Sequence, residues 1–179
     1  MAREELYVSP FDPAALRPAA LSLHLGLRAQ VLVPRGAVDV ADVGTHPDLI
    51  TREPDARGCL ALWPGEVMLA PTQERIALSG RLAGLVDGTS DYARLGISVV
   101  LSHQVSPGYG SDVSGGAILT LEIVSRLSEV VYLRPGTRIG NLMLLHCRTA
   151  QRIYPLMAAN YSRDVDVRAS RLAEHSVRL

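Results

Sequence analysis

Eleven prolines and fifteen glycines interrupt this chain at short intervals along its 179 residues. Neither residue suits a long helix: proline removes a donor and clashes with the preceding turn, and glycine costs backbone entropy. Between them lie short runs rich in Val, Ile and Leu, the pattern of many short strands. The runs predicted as strands are Leu21–Leu25, Ala29–Val33, Glu66–Ala70, Arg75–Leu78, Leu82–Val86, Ser98–Leu101, Ala117–Val124, Val130–Leu133 and Asn141–His146. Thr89–Leu95 has room for one or two helical turns. Asp12–Ala20 is a candidate short helix, capped by Asp12 with Pro13 at its first position. Residues 34–57 mix prolines, glycines and acids without periodicity and read as an irregular excursion.

The length fits one domain over residues 1–179, large enough to bury a core without disulfides or metals, with a charged tail from about residue 160 to 179. An apolar fraction of 47% beside 20% charged residues argues for a folded globular chain. With one Trp and one Phe, aliphatic side chains must fill the interior. No internal repeat is visible. On pattern alone, barrels, sandwiches and clip-like sheets all remain open.

Eighteen basic residues balance eighteen acidic ones, so no chain-wide positive field draws nucleic acid, and none is expected as a partner. Every basic residue is an arginine, which removes Schiff-base chemistry, a lysine general base and the P-loop lysine together. Cys59 and Cys147 are too few for a disulfide framework, and residues 1–10 lack the apolar run of a signal peptide. No stretch approaches the length of a membrane span, so a cytoplasmic setting is expected. The His-x-Glu and Pro-Cys-x-x-Cys motifs of zinc deaminases do not occur, nor does a Gly-x-Gly-x-x-Gly, a Walker loop or a Gly-x-Ser-x-Gly elbow. His146 and Cys147 are adjacent on a predicted strand, point to opposite faces and make poor joint ligands. No protein metal site is expected.

Several spaced segments carry a family pattern. They are Arg17-Pro-Ala-Ala-Leu-Ser-Leu-His-Leu-Gly26, Trp63-Pro-Gly-Glu66, Leu69-Ala-Pro-Thr-Gln-Glu74, Gly88-Thr-Ser-Asp-Tyr-Ala-Arg-Leu-Gly96, Ser106-Pro-Gly-Tyr109, Leu121-Glu122 and Leu133-Arg-Pro-Gly-Thr-Arg-Ile-Gly140. In order and spacing, over about residues 17 to 171, they resemble the dCTP deaminase family of the trimeric dUTPase superfamily. The resemblance implies a mostly β, β-clip (dUTPase-like) fold with short helices, closed as a homotrimer with active sites between subunits. It also implies zinc-independent conversion of dCTP to dUTP and ammonia; some members also cleave dUTP to dUMP and pyrophosphate.

Carried over residue by residue, the resemblance makes Glu122 the group that activates water for attack on the pyrimidine C4 and relays a proton to the departing ammonia. Burial at the end of an apolar strand would raise its pKa and suit it to that task; the plain alternative is a strand-end carboxylate paired with an arginine. Arg94 would orient the water or stabilise charge, or else form a subunit-interface ion pair, and Ser90 would hydrogen-bond at the reacting centre. The backbone carbonyl that reads the base falls on Ser102 or His103, and His103 is also an acid/base candidate beside the pocket. Tyr109 sits where the family packs an aromatic on the sugar; its alternative is a solvent-facing turn residue. Tyr161 matches a tyrosine near the phosphates.

Departures from the pattern accompany the matches. Thr89 and Asp91 flank Ser90 in place of an arginine and a serine, which should weaken binding of a polyanion. Ser106 replaces the aspartate that contacts the deoxyribose 3′-hydroxyl. The lysine before the tail tyrosine is Asn160, and Arg163 or Arg168 is the candidate to take its place. Residues 110–115 form an extra Gly- and Ser-rich loop. A triphosphate substrate would bring Mg²⁺ on its own oxygens. The expected partners are a pyrimidine nucleotide and further copies of the chain, with no nucleic acid and no membrane. Beside the deaminase reading stand a dUTPase-type diphosphatase, disfavoured by Ser106, and a catalytically inactive nucleotide-binding or structural trimer.

Overall fold

The computed structural model describes residues 5–157 and 161–172. In chain order the strands are β1 (Leu6–Ser9), β2 (Leu21–His24), β3 (Ala29–Val33), β4 (Asp48–Arg52), β5 (Leu60–Leu62), β6 (Val67–Leu78) and β7 (Leu82–Gly88). After the short helix α1 (Ser90–Arg94) follow β8 (Ile97–Ser98), β9 (Gln104–Val105), β10 (Ala117–Ser125), β11 (Val131–Leu133) and β12 (Arg138–His146). The mostly β architecture expected from the punctuation is what the chain adopts. One sheet runs β4-β3-β6-β10-β8 with β1 also on β6, a second runs β2-β12-β7-β9, and β5 pairs with β11.

The interior is aliphatic, as the shortage of aromatics requires. Leu23, Leu25, Leu60, Leu62, Met68, Ile76, Leu121, Ile123, Ile139 and Leu142 are buried in one cluster, while Trp63 and Phe11 are more than half exposed.

Two predicted strands, Glu66–Ala70 and Arg75–Leu78, are halves of the twelve-residue β6. Proline is expected to end a central strand because it cannot donate to the ladder. Pro71 is accommodated by a bulge: the β10 register shifts between Ile118 and Thr120. There the Thr72 hydroxyl accepts the Leu119 N–H at 3.1 Å and donates to the Glu74 carbonyl at 2.7 Å. The Pro71 carbonyl turns to accept the Gly26 N–H at 2.8 Å.

Other expectations are corrected. Residues 34–57 are not irregular throughout, because β4 pairs antiparallel with β3 at the sheet edge; its polar Asp-Leu-Ile-Thr-Arg sequence hides the strand. The Asp12–Ala20 helix shrinks to one 3-10 turn, Pro13–Ala15, whose Ala14 N–H donates to Asp12 Oδ1. The predicted strand Ser98–Leu101 ends at Ser98, and the chain beyond it turns away to serve Glu122. The short strands β1, β5 and β9 carry too few residues to show a period of their own.

Candidate active site

Burial alternates along β10, with Leu119, Leu121 and Ile123 inside and Thr120, Glu122 and Val124 half-buried on the other face. Glu122 therefore lines a cleft of about 380 Å³, half-buried rather than fully buried as its place at the end of an apolar strand suggested. Its cross-strand partner Leu69, with Leu32 and Val100, supplies apolar wall around it. Glu122 Oε2 accepts the backbone N–H groups of Leu101 at 3.1 Å and Ser102 at 3.2 Å. Those donors fix the carboxylate and leave Oε1 out of the interaction.

The same loop separates Ser102 from His103. The His103 carbonyl accepts the Val86 N–H at 2.8 Å and its Nδ1 donates to the Val86 carbonyl at 2.8 Å, tying the residue to β7. Ser102 lines the cleft with Ser106 and Gln104, and His103 does not. Tyr109 is buried in the cleft wall, not solvent-facing; its hydroxyl donates to the Ile118 carbonyl, and burial pushes its phenol pKa upward. Tyr154 stacks on it with ring centroids 6.0 Å apart.

The tail folds back on its own chain to complete the cleft. Ile118 N–H donates to the Asp164 carbonyl at 3.0 Å, Tyr161 N–H to the Tyr154 hydroxyl at 3.1 Å, and Arg171 N–H to the Tyr161 hydroxyl at 2.9 Å. Tyr161 and Arg168 reach the cleft wall, whereas Arg163 is held outside it by Asp112 of the extra loop, Nε to Oδ2 2.5 Å. Asn160 and residues 173–179 lie outside the described residues. Sequence reasoning missed Asp164 and Tyr154, which also line this cleft.

The other half of the family motif lies elsewhere. Thr89 is the buried N-cap of α1, while Ser90, Asp91 and Arg94 are exposed, and Gly96 at φ 73° ends the turn. Asp91 Oδ2 lies 3.7 Å from Arg138 Nη2. Thr89 and Ser90 line a separate cleft with Gly88, Val99 and Arg126, and Glu122 is not among its walls. One chain thus gathers Glu122, Ser102, Ser106, Tyr109, Tyr161 and Arg168, and holds Ser90, Arg94, Thr89 and Asp91 apart from them. Among the described residues, no three His, Cys, Asp or Glu side chains are grouped to hold a metal ion, and no helix is long and apolar enough to cross a membrane.

The dCTP deaminase-like family model matches residues 1–147. The chain is 33% identical over 150 residues to a dCTP deaminase, dUMP-forming, of Acidothermus cellulolyticus, covering 80% of this chain and 73% of that protein. It is 32% identical over 161 residues to the protein of the same description from Salinispora arenicola, covering 87% and 79%. Among solved structures it is similar to the 2′-deoxycytidine 5′-triphosphate deaminase of Agrobacterium tumefaciens, with a TM-score of 0.57 and 22% identity over 78% of this chain and 43% of that one, less than half its length. That likeness carries the β-clip fold. The chain belongs to the dCTP deaminase-like family.

Proposed function

We propose that this chain is a hydrolase that deaminates a cytosine nucleotide to its uracil form, with each active site shared between two subunits of a homotrimer. The observation that supports this most is the Glu122 carboxylate, held by the Leu101 and Ser102 amides at the mouth of an apolar-walled cleft. A water oxygen adds to the pyrimidine C4 while Glu122 takes one water proton and passes it to ring N3. Glu122 then moves the proton of the new C4 hydroxyl onto the amino group, the C4–N bond breaks, and the products are a C4 carbonyl and ammonia. The Ser102 carbonyl reads the exocyclic amine in this account, and Tyr109 packs beside the sugar.

Ser90 and Arg94 come from the neighbouring subunit, where Arg94 stabilises charge on the tetrahedral centre. Their outward presentation on α1, away from the Glu122 cleft of the same chain, supports that assignment. Water activation falls to Glu122 and not to zinc. With a triphosphate, Mg²⁺ rides on phosphate oxygens and water, and no step above runs through it.

The relatives' description as dUMP-forming favours a second reading, in which loss of the amine is joined by removal of two phosphates. The test for both is product analysis with dCTP, CTP, dCMP, CMP, deoxycytidine and dUTP. Ammonia from a cytosine compound, absent with Glu122→Gln, supports deamination; pyrophosphate beside it supports the joint reaction. Silence across the panel overturns both and points to an inactive binding trimer.

A further inference from the structure

One charged group in the cleft has no task in that reaction. Asp164 is only 3% exposed, and it lines the cleft with Tyr161, Arg168 and Ser170. Its carboxylate lies 3.3 Å from Arg168 Nε and 4.0 Å from Arg171 Nη2. Burial nonetheless pushes its carboxyl pKa up, against the pull of Arg171 and Arg168. Asp164 and Tyr109 meet at Ile118, whose N–H binds the Asp164 carbonyl and whose carbonyl accepts the Tyr109 hydroxyl. Ser106 joins the same corner through the Tyr109 N–H, 3.1 Å from its carbonyl.

Four arginines of this region face carboxylates. In the described tail, Arg163 faces Asp112, and Arg168 and Arg171 face Asp164; beside α1, Arg138 faces Asp91. A polyphosphate entering the cleft must compete with Asp164 for Arg168 and bring its own charge against a buried carboxylate. A monophosphate carries only about −1.5 to −2 at neutral pH and meets less of that opposition.

We propose that Asp164 is a specificity-determining residue that turns this cleft away from polyphosphates and toward pyrimidine nucleotides carrying few phosphates. The nucleotide part of this statement rests on the deaminase reading; the anion selectivity does not. The test is calorimetric titration of wild type and the near-isosteric Asp164→Asn with inorganic tripolyphosphate and with orthophosphate. Asp164→Asn is expected to bind tripolyphosphate about tenfold or more tighter, because a full unit of opposing charge is removed at close range, and orthophosphate by a smaller factor. Equal tripolyphosphate affinity in the two proteins overturns the assignment.

Should Asp164→Asn fail to fold, the wild type supplies the second measurement: it is expected to bind CMP at least as tightly as CTP, and tighter binding of CTP overturns the assignment. Ammonia release separates the two claims. Its absence from every cytosine compound removes the deaminase reading while the tripolyphosphate comparison still stands. Intact release with unchanged tripolyphosphate affinity removes Asp164 alone.

Discussion

The Glu122 cleft and the α1 motif are equally recognisable as family segments, yet the fold treats them in opposite ways. Glu122 lies on the long β10, paired to the central strand β6, with its carboxylate clamped by the 101–102 amides and its cleft closed by the chain's own tail. Ser90 and Arg94 lie exposed on a five-residue helix, and neither is among the walls of that cleft. Chemistry that needs both cannot be completed inside one chain of this geometry. The contrast is between a half-site ordered within one chain and a motif left at its surface, the arrangement that the proposed sharing of a site between subunits requires.

Substitutions can break or sharpen this contrast. The largest effect is expected from Glu122→Gln, which keeps the shape and removes the base: kcat for ammonia release should fall about 10³-fold with thermal stability nearly unchanged. A loss of only a few-fold would mean that the clamped carboxylate is structural. Next comes Gly110→Ala, at the corner that holds Tyr109. Gly110 has φ 68°, and a Cβ there would lie 2.2 Å from the Ile76 carbonyl oxygen. Denaturant unfolding should show a destabilisation of about 2–4 kcal/mol, whereas Gly115→Ala, where a Cβ meets open space, should cost less despite its φ of 80°.

A smaller effect follows from the buried Asp164. Its folded pKa is raised, so the docked tail holds the proton more tightly than an undocked one. Docking is strongest with Asp164 protonated and weakens as pH rises through the folded pKa. Proteolysis within 161–172 should therefore be a few-fold slower at about pH 5 than at about pH 8, measured with a protease of matched activity, and Asp164→Asn should flatten the difference. The smallest effect belongs to Asp112→Ala: its Arg163 partner is exposed, and the loss should stay within about 1 kcal/mol.

Much of this was legible in the sequence, for identifiable reasons. Glu122 announced itself through a motif at the end of an apolar strand, while the alternation that puts it half-buried on the cleft face of β10 emerges only in the fold. The short elements failed where local signal and tertiary context disagree: Pro71 reads as a break, but the Thr72 hydroxyl and a bulge carry β6 through it. β4 is polar because it is an edge strand, so its sequence resembles a loop. Asp164 was invisible because the Arg/Asp alternation of residues 163–178 reads as a solvated tail; only its return onto Ile118 buries that carboxylate in the cleft wall. His103 looked like a pocket acid because it is adjacent to Ser102, and the backbone pairing with Val86 turns it aside.

The central claim, that Glu122 of one subunit works with Arg94 of another, is tested most directly by subunit mixing. Glu122→Gln and Arg94→Ala are each expected to be nearly inactive in ammonia release while remaining folded and assembled. Unfolding and refolding an equal mixture should restore about a quarter of wild-type activity, the share of interfaces that pair an intact Glu122 with an intact Arg94. A mixture no more active than its two components would contradict the shared site.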